Sequence, residues 1–226
     1  MDDNVSFFDL HSHSIDASDD AGGTVEGYLK WIAGRRKRGF RVTGFVLTEH
    51  RSYDPTVKYD DLAAQYDTVV LKGAELETEV GHVLVYGIDD RLKNEFDLSR
   101  VDLNSKDLFQ AVYDLGGYAV AAHSGRPRIG IWEYIEAGRD LSFIPAIEEL
   151  NGGSSAEENG RSMALVEKHG FKRIGGSDAH YVSSIGRCLT AFNGRITRME
   201  ELVEQLREGD YRPVRIEETL EGFDQD

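Results

Sequence analysis

The 226-residue sequence has one cysteine and four prolines, and it has no long hydrophobic run. A single cysteine excludes an internal disulfide framework, so we expect a reducing, cytoplasmic location. No segment approaches the roughly 18–20 consecutive apolar residues of a membrane-spanning helix, so we expect no membrane partner. Positive charge is also scarce, because 26 Lys and Arg stand against 41 Asp and Glu, a formal net charge of −15. Such a chain repels extended polyanions, which argues against a nucleic-acid coat protein.

What the sequence does contain is an alternation of apolar bursts and amphipathic stretches. The bursts predict strands over 5–10, 42–47, 68–74, 82–86, 118–122, 144–150, 171–175 and 188–192. Between them, Val25, Tyr28, Leu29 and Ile32 recur at helical spacing after Thr24, a residue suited to cap a helix.

Three later helices are predicted in the same way. One spans the apolar positions 108, 111, 112 and 115 and ends at a Gly-Gly pair. The next opens with a capping box of Ser154 and Glu157 and stops at Gly170. In the last, Thr197 and Glu200 are expected to cap a helix with apolar residues on one face.

This alternation predicts a parallel α/β protein. About seven strand–helix units with short loops favour a barrel related to the TIM type, with its chemistry at the carboxyl ends of the strands. We expect one domain over residues 1–216, followed by an acidic tail over 217–226.

Polar residues follow the predicted strands at the point where each strand ends. The residues in these positions are His11, His13, His50, Glu75, His123, Asn151, Asp178 and His180, and His82 begins the short strand after Glu75. In a barrel these ends converge on one face. Two histidines spaced as His11 and His13 point to the same side of a strand, so both can bind one ion. His169 is different, because it lies in the last turn of a predicted helix, where its role is structural.

Imidazole and carboxylate groups together suit Zn²⁺, Mn²⁺ or Fe. The candidate ligands are His11, His13, Asp19, His50, Glu75, His82, His123, Asp178 and His180. One ion takes about three or four protein ligands, so this set fits two or three divalent metal ions.

The ordered motifs resemble those of the PHP family, the polymerase and histidinol phosphatase superfamily, from Asp9 to about Phe192. They read Asp9-Leu10-His11-Ser12-His13-Ser14, Thr48-Glu49-His50, Gly73-Ala74-Glu75, Gly81-His82, Ala122-His123 and Gly176-Ser177-Asp178-Ala179-His180. The resemblance implies a distorted TIM-like (β/α)7 barrel with a trinuclear metal cluster that hydrolyses phosphate esters. It implies His11, His13, Glu75 and Asp178 at the first metal, a bridging Glu75 with His82 and His123 at the second, and Asp19, His50 and His180 at the third.

Three departures from the family pattern affect the ligand assignments that the resemblance implies. Thr48-Glu49-His50 replaces the usual Thr-Asp-His, so Glu49 is expected to be a displaced partner of the ligands. Ser124 follows His123 in place of the usual proline. The first motif continues without the common Ser-Asp-Gly, which leaves Asp16 and Asp20 as alternatives to Asp19.

The expected mechanism is attack on phosphorus by a metal-bridging hydroxide, with Asp178 and His180 as candidate proton donors. Arg126 and Arg187, in loops after His123 and His180, are candidates to bind the phosphate, and Arg51 is a weaker one. The one basic run, Arg35-Arg36-Lys37-Arg38 with Arg41, is explained by a helix end and does not indicate a nucleic-acid track.

The function predicted from these residues is a metal-dependent phosphoesterase for a small phosphate monoester or a nucleotide. Nucleic acid enters only as a short oligonucleotide or nucleotide substrate, and the oligomeric state is left open. Two alternatives remain: an amidohydrolase-type barrel that hydrolyses an amide or lactone, and a non-catalytic metal-binding PHP domain.

Overall fold

Strands and helices alternate along residues 5–220, the part of the chain that the computed structural model describes. The strands are β1 (Ser6–Ser12), β2 (Gly44–His50), β3 (Val69–Thr78), β4 (Gly81–Tyr86), β5 (Tyr118–Ala121), β6 (Ala146–Asn151), β7 (Lys172–Gly176), β8 (Cys188–Phe192) and β9 (Tyr211–Arg215). The helices are α1 (Val25–Arg36), α2 (Asp60–Ala64), α3 (Asp90–Glu95), α4 (Ser105–Asp114), α5 (Trp132–Glu136), α6 (Ala156–His169) and α7 (Met199–Glu208).

The strands form one sheet in the order β7-β6-β5-β4-β3-β2-β1-β8-β9. β1, β2 and β3 pair in parallel, as do β5, β6 and β7. The prediction of a purely parallel sheet is wrong for β4, β8 and β9, which pair antiparallel. For β4 the reason is local: only two residues separate it from β3, too few for a parallel crossover.

The sheet curls until β7 lies beside β1, so the distorted TIM-like barrel is confirmed. The backbone N–H of Asp178 donates to the His11 carbonyl at 2.7 Å, and that of His13 donates to the Ala179 carbonyl at 2.9 Å. Gly176 permits this approach, because a Cβ there would lie 2.5 Å from the Cβ of His11. The barrel is therefore nearly closed at the edge that carries the candidate ligands.

The barrel interior is filled by apolar side chains that share one direction on successive strands. Phe8 and Leu10 of β1, Val46 of β2, Leu84 of β4 and Val120 of β5 belong to one buried cluster. Side chains alternate along a strand, so His50 faces the same side of β2 as Val46, and His82 the same side of β4 as Leu84. The apolar interior thus continues into the polar ligand set.

The outer helices follow their predicted patterns, with two corrections at their starts. Thr24 caps α1 by accepting from the Gly27 N–H at 3.0 Å. The capping box of α6 is formed by Ser155 and Glu158, one residue later than predicted. At α7, Thr197 donates to the carboxylate of Glu201 and not to that of Glu200.

The predicted acidic tail falls partly on described residues. Ile216–Thr219 forms a 3-10 helix, and Thr219 accepts from the Arg41 N–H at 3.0 Å. The rest of the predicted tail, 221–226, lies outside the described residues. None of the helices found between residues 5 and 220 is long and apolar enough to cross a membrane.

Candidate metal centre

The first group of candidate ligands lies at the carboxyl ends of β1, β3 and β7. Oε2 of Glu75 is 3.3 Å from Nε2 of both His11 and His13. Oδ1 of Asp178 is 3.5 Å from the same two nitrogens. All four residues have side chains that are at most 7% exposed. The predicted first set is therefore brought together, with its four ligand atoms at one buried point.

The second group uses the other oxygen of Glu75. Oε1 of this residue is 2.9 Å from Nδ1 of His82 and 2.9 Å from Nε2 of His123. His82 begins its strand, yet it reaches this edge because β4 runs antiparallel to β3. The predicted bridging position of Glu75 matches this geometry.

The third group contains His50 and His180, whose Nε2 atoms are 3.4 Å apart. Oδ2 of Asp20 lies 3.3 Å from the first of these nitrogens and 3.2 Å from the second. Asp19 is exposed and forms no ion pair or hydrogen bond with residues 5–220. Of the three acids considered for the third group, Asp20 and not Asp19 is the one that faces the two histidines in this structure, and Asp16 accepts from the Tyr59 hydroxyl at 3.0 Å.

Several ligand atoms of these groups are buried without a hydrogen-bond partner. They are Nε2 of His11, both ring nitrogens of His13, Oε2 of Glu75 and Nδ1 of His123. A buried polar atom without a partner costs about 1–3 kcal/mol, so a cluster of them needs a compensating ligand. Imidazole nitrogens and carboxylate oxygens that meet within 4.8 Å fit divalent cations.

The charges around Glu75 are arranged for binding. Burial alone would raise the pKa of Glu75, but the neighbouring rings of His11, His123 and His50 outweigh it and hold the pKa well below its usual value. Burial lowers the pKa of His13 to about 4, and burial also lowers that of His123. For His11 and His50 the direction is opposite, because the neighbouring carboxylates outweigh burial and raise the pKa of both rings. Metal binding requires neutral imidazoles, so an ion would have to displace protons from His11 and His50.

Sequence reasoning missed Glu148, a fully buried residue of β6. Its carboxylate accepts from the His123 N–H at 2.7 Å and from Nδ2 of Asn151 at 2.9 Å. Both of its oxygens lie 3.1 Å from Nδ1 of His11. This contact fixes the His11 ring so that Nε2 faces Glu75. The available signal was a pair of adjacent glutamates, 148 and 149, inside an otherwise apolar strand.

Two further buried acids hold the loops that carry the ligands. Glu49 accepts from the hydroxyls of Ser14 and Ser18, both at 2.6 Å, so it supports the β1–α1 loop and contacts no candidate ligand side chain. The expected direct partnership with the ligands is therefore replaced in this structure by contacts with the loop that carries them. Asp9 accepts from the N–H groups of Ser177 and Gly186, both at 2.8 Å, and joins β1 to the segment after β7.

The predicted phosphate-binding arginines have different surroundings. Nη2 of Arg126 donates to Oδ2 of Asp178 and to Oδ1 of Asn151, both at 2.8 Å, which places the guanidinium at the edge of the first group. Arg187 is exposed and lies next to Gly152, a residue of the loop after β6. A Cβ added to Gly152 would be 3.2 Å from the Cβ of Arg187. Nη1 of Arg51 is 3.5 Å from Oε1 of Glu77.

The backbone is left-handed at two candidate ligands. His123 has φ 28° and Asp178 has φ 53°, although neither is glycine. Non-glycine residues in this region cost about 1–3 kcal/mol and concentrate at functional sites. His169, in contrast, lies in the last turn of α6 with its ring 5.7 Å from that of Phe171, away from the three groups.

Comparison with known proteins gives one family match and several similar folds. Residues 156–211 match the model of the PHP-associated family. A search of the curated proteins gives no match.

Three solved structures illustrate the shared fold. PsfC from Pseudomonas syringae has a TM-score of 0.66 at 19% identity, over 93% of this chain and 91% of its own. A two-domain Bacteroides vulgatus protein is described as containing a predicted PHP-like metal-dependent phosphoesterase. It has a TM-score of 0.61 at 17% identity, over 94% of this chain and 65% of its own. The lesion-specific endonuclease PfuEndoQ from Pyrococcus furiosus has a TM-score of 0.61 at 15% identity, over 92% of this chain and 57% of its own.

The likeness to these structures concerns the fold, and the family match covers the part from α6 to the start of β9. Residues 156–211 are therefore similar to the PHP-associated family, and the fold as a whole is similar to that of a protein described as PHP-like.

Proposed function

We propose that this protein is a metal-dependent phosphoesterase that hydrolyses a small phosphate monoester or a nucleotide. The observation that carries the proposal is the convergence of three His and carboxylate groups, two of which share Glu75 and two of which share His13. Two or three divalent ions, Zn, Mn or Fe, are the cofactors that we assign to these groups. When bound, such ions lower the pKa of water and neutralise charge on phosphoryl oxygens.

The chain's own residues would position the substrate and the ligands. Arg126, anchored by Asn151 and by the Ser154 hydroxyl at 2.8 Å, presents a fixed guanidinium to a phosphoryl oxygen at the edge of the first group. Arg187 is free to approach the same substrate from the other side of the loop after β6. Glu148 and Asp9 hold the ligands in place from behind.

Of the two candidate proton donors, His180 is favoured over Asp178. Oδ1 of Asp178 faces His11 and His13, and Oδ2 pairs with Arg126, so neither oxygen carries a proton toward a leaving group. Nδ1 of His180 donates to the Asp178 carbonyl at 3.0 Å. Nε2 is then the ring atom that faces Asp20 and His50. His180 therefore serves as a proton donor only while this nitrogen holds a proton and no metal ion.

The proposal favours small substrates because the overall charge of −15 repels long polyanions. Since an endonuclease shares the fold, short oligonucleotides belong in the substrate panel. The panel should also contain p-nitrophenyl phosphate, histidinol phosphate and nucleoside bisphosphates. Amide and lactone substrates are added to test the amidohydrolase alternative. Amide or lactone hydrolysis without phosphatase activity would favour that alternative. We retain the cytoplasmic location as a proposal that rests on the single cysteine.

The decisive experiment compares Glu75→Gln with Glu77→Gln on the same strand. Glu75 belongs to two of the groups and lies 3.0 Å from Nδ1 of His50 in the third, whereas Glu77 lies two residues later and pairs with Arg51. We expect Glu75→Gln to lower metal content and phosphatase kcat at least a hundredfold, and Glu77→Gln to leave both near wild type. If the wild-type protein holds fewer than two ions per chain and hydrolyses no phosphate ester after metal addition, the catalytic proposal is wrong and the non-catalytic domain is favoured.

A further inference from the structure

A second cavity lies at the opposite end of the barrel from the candidate metal centre. It has a volume of about 760 Å³ and is lined by residues that begin β1, β2 and β3, among them Phe7, Thr43 and Val69. At about 3.3 Å per residue, Phe7 lies about 13 Å along β1 from His11, and Thr43 lies about 23 Å along β2 from His50. It is therefore separate from the site described above.

Three arginines line this cavity: Arg36, Arg41 and Arg195. Asp67 is the one acid among the lining residues, and its exposed carboxylate is 3.8 Å from Nη1 of Arg36. Neither Arg41 nor Arg195 has a carboxylate within 4.0 Å among residues 5–220. Arg35, Arg38, Arg128, Arg187 and Arg207 have no such partner in this part of the chain either, so the absence alone does not distinguish Arg41 and Arg195. What distinguishes them is that both line one cavity without an acid partner among residues 5–220, which makes the cavity a place for an external anion.

Two of these guanidinium groups are already fixed in position. Arg36 donates from Nη1 to the Asp67 carbonyl at 2.6 Å, from Nη2 to the Tyr66 carbonyl at 2.8 Å, and to the Thr68 hydroxyl. Its Nε is buried without a partner. Arg41 stacks over the Phe7 ring, with the guanidinium carbon 4.8 Å from the ring centroid. Binding of a ligand would therefore cost little conformational entropy of these two arginine side chains.

The remaining lining residues are mostly apolar and set the character of the ligand. Val5, Phe40 and Val69 line the cavity and are partly exposed, whereas Phe7, Val42 and Ile196 are at most 7% exposed. A bare inorganic ion would leave this surface uncovered, whereas a ligand with an organic part would bury it. The volume of about 760 Å³ lies within the usual range of small-molecule sites.

We propose that this cavity binds a small organic phosphate of nucleotide size, with its phosphate between Arg41, Arg195 and Arg36 and its organic part against the apolar residues. The proposal does not depend on the metal-dependent activity, because the cavity shares no residue with the three ligand groups. Binding at this end of the barrel would let a phosphorylated metabolite act on the protein without occupying the candidate metal centre.

The test is calorimetric titration of the whole, metal-free protein with ADP and with inorganic pyrophosphate, in EDTA. We expect ADP to bind more tightly than pyrophosphate, and both to bind more weakly as salt increases. Arg195→Ala and Arg41→Ala should each weaken ADP binding about tenfold. Arg198→Ala is the matched control, since Arg198 is three residues from Arg195 but pairs with Glu201 at 2.6 Å, and it should bind as wild type.

Three outcomes would overturn the proposal. One is wild-type ADP affinity in both Arg195→Ala and Arg41→Ala. Another is loss of binding in Arg126→Ala, which would locate the nucleotide at the candidate metal centre. The third is ADP binding that is gained only after Asp2→Asn and Asp3→Asn, since these acids precede Val5 in the sequence and the cavity would then not be open in the protein itself.

Discussion

The carboxylate of Glu148 offers the sharpest test of how this chain prepares its ligands. The residue is fully buried, and its Oε2 receives hydrogen bonds from both the His123 N–H at 2.7 Å and Nδ2 of Asn151 at 2.9 Å. Nδ1 of His11 lies 3.1 Å from both oxygens. One acid, which is not itself in a ligand group, therefore orients two proposed ligands.

The change Glu148→Gln keeps the volume of the side chain and removes its charge. The new amide has one oxygen for three donors, and its NH₂ must face at least one of them. If the NH₂ faces Nδ1 of His11, the ring proton moves to Nε2, the atom 3.3 Å from Oε2 of Glu75. A protonated Nε2 cannot bind metal, and loss of such supporting contacts typically costs about 10–100-fold in metal affinity. Loss of hydrogen bonds to a buried charged group adds about 1.5–3 kcal/mol of destabilisation.

The assay is titration of the metal-free protein with Mn²⁺ or Zn²⁺, followed by urea unfolding of the same samples. Glu149→Gln is the matched control, because Glu149 is the next residue of β6 and pairs with Arg173 at 3.3 Å, away from the ligands. We expect a 10–100-fold loss of metal affinity in Glu148→Gln and almost none in Glu149→Gln. Equal metal affinity in the two variants would refute the orienting role of Glu148.

Three further measurements test other parts of the structure. Cys188 is 1% exposed and burial raises the pKa of its thiol to about 12, so we expect no reaction with a disulfide reagent at pH 8 until urea unfolds the chain; rapid labelling of the native protein would contradict this. Gly160 lies inside α6, and an added Cβ would meet no atom within 4 Å. Gly160→Ala should therefore raise the free energy of unfolding by about 0.5–1 kcal/mol. A free energy of unfolding below that of the wild type would show that the helix is strained there. Chelation should lower the melting temperature, since a metal at a hundred times its Kd stabilises by about 2.7 kcal/mol per site, and an unchanged melting temperature would argue against bound metal.

The sequence allowed the strands and most of the candidate ligands to be predicted, because both depend on local patterns. Apolar bursts located β1 to β8 to within about three residues at most ends, and the polar residue after each burst indicated the ligand edge. His11, His50 and His123 meet at Glu75 as expected from that rule. The short strand β9 and the helices α2, α3 and α5 were not predicted, and the three helices are only five or six residues long.

The choice between Asp19 and Asp20 could not be made from the sequence. Several acids follow His13 in a loop without a repeating pattern, so nothing local says which of them faces the histidines. In the structure the direction is set by Ser18, whose hydroxyl donates to Glu49 and accepts from the His50 N–H at 3.2 Å. That contact joins residues about thirty positions apart, which a local pattern does not reveal.

The prediction that the α6 capping box begins at Ser154 failed for a related reason. Ser154 and Ser155 are equally good caps by composition. Ser154 is used elsewhere, because its hydroxyl accepts from Nε of Arg126 at 2.8 Å and donates to Asn151 at 3.1 Å. Ser155 is left to cap the helix, so the requirements of the candidate site decide where α6 begins.

Two β-bulges explain how an apolar barrel interior gives way to the edge that carries the candidate ligands. In β1, Phe8 and Leu10 face the interior, and strict alternation would turn His11 and His13 outward. Asp9 pairs with Phe45 and Ser12 pairs with Leu47, so β1 uses three residues where β2 uses two. The extra residue in β1 turns the side chains of the two histidines to the opposite face of the strand.

The same device recurs in β6, where the register shifts between Glu148 and Leu150 and turns Asn151 inward. Each bulge is held by an acid of its own strand: Asp9 accepts from Ser177 and Gly186, and Glu148 accepts from His123. These acids contact residues from distant parts of the chain, so the bulges form only when the barrel closes. The ligand geometry is therefore a product of the tertiary fold, and replacing either acid should disturb the metal centre more than it disturbs the apolar core beneath it.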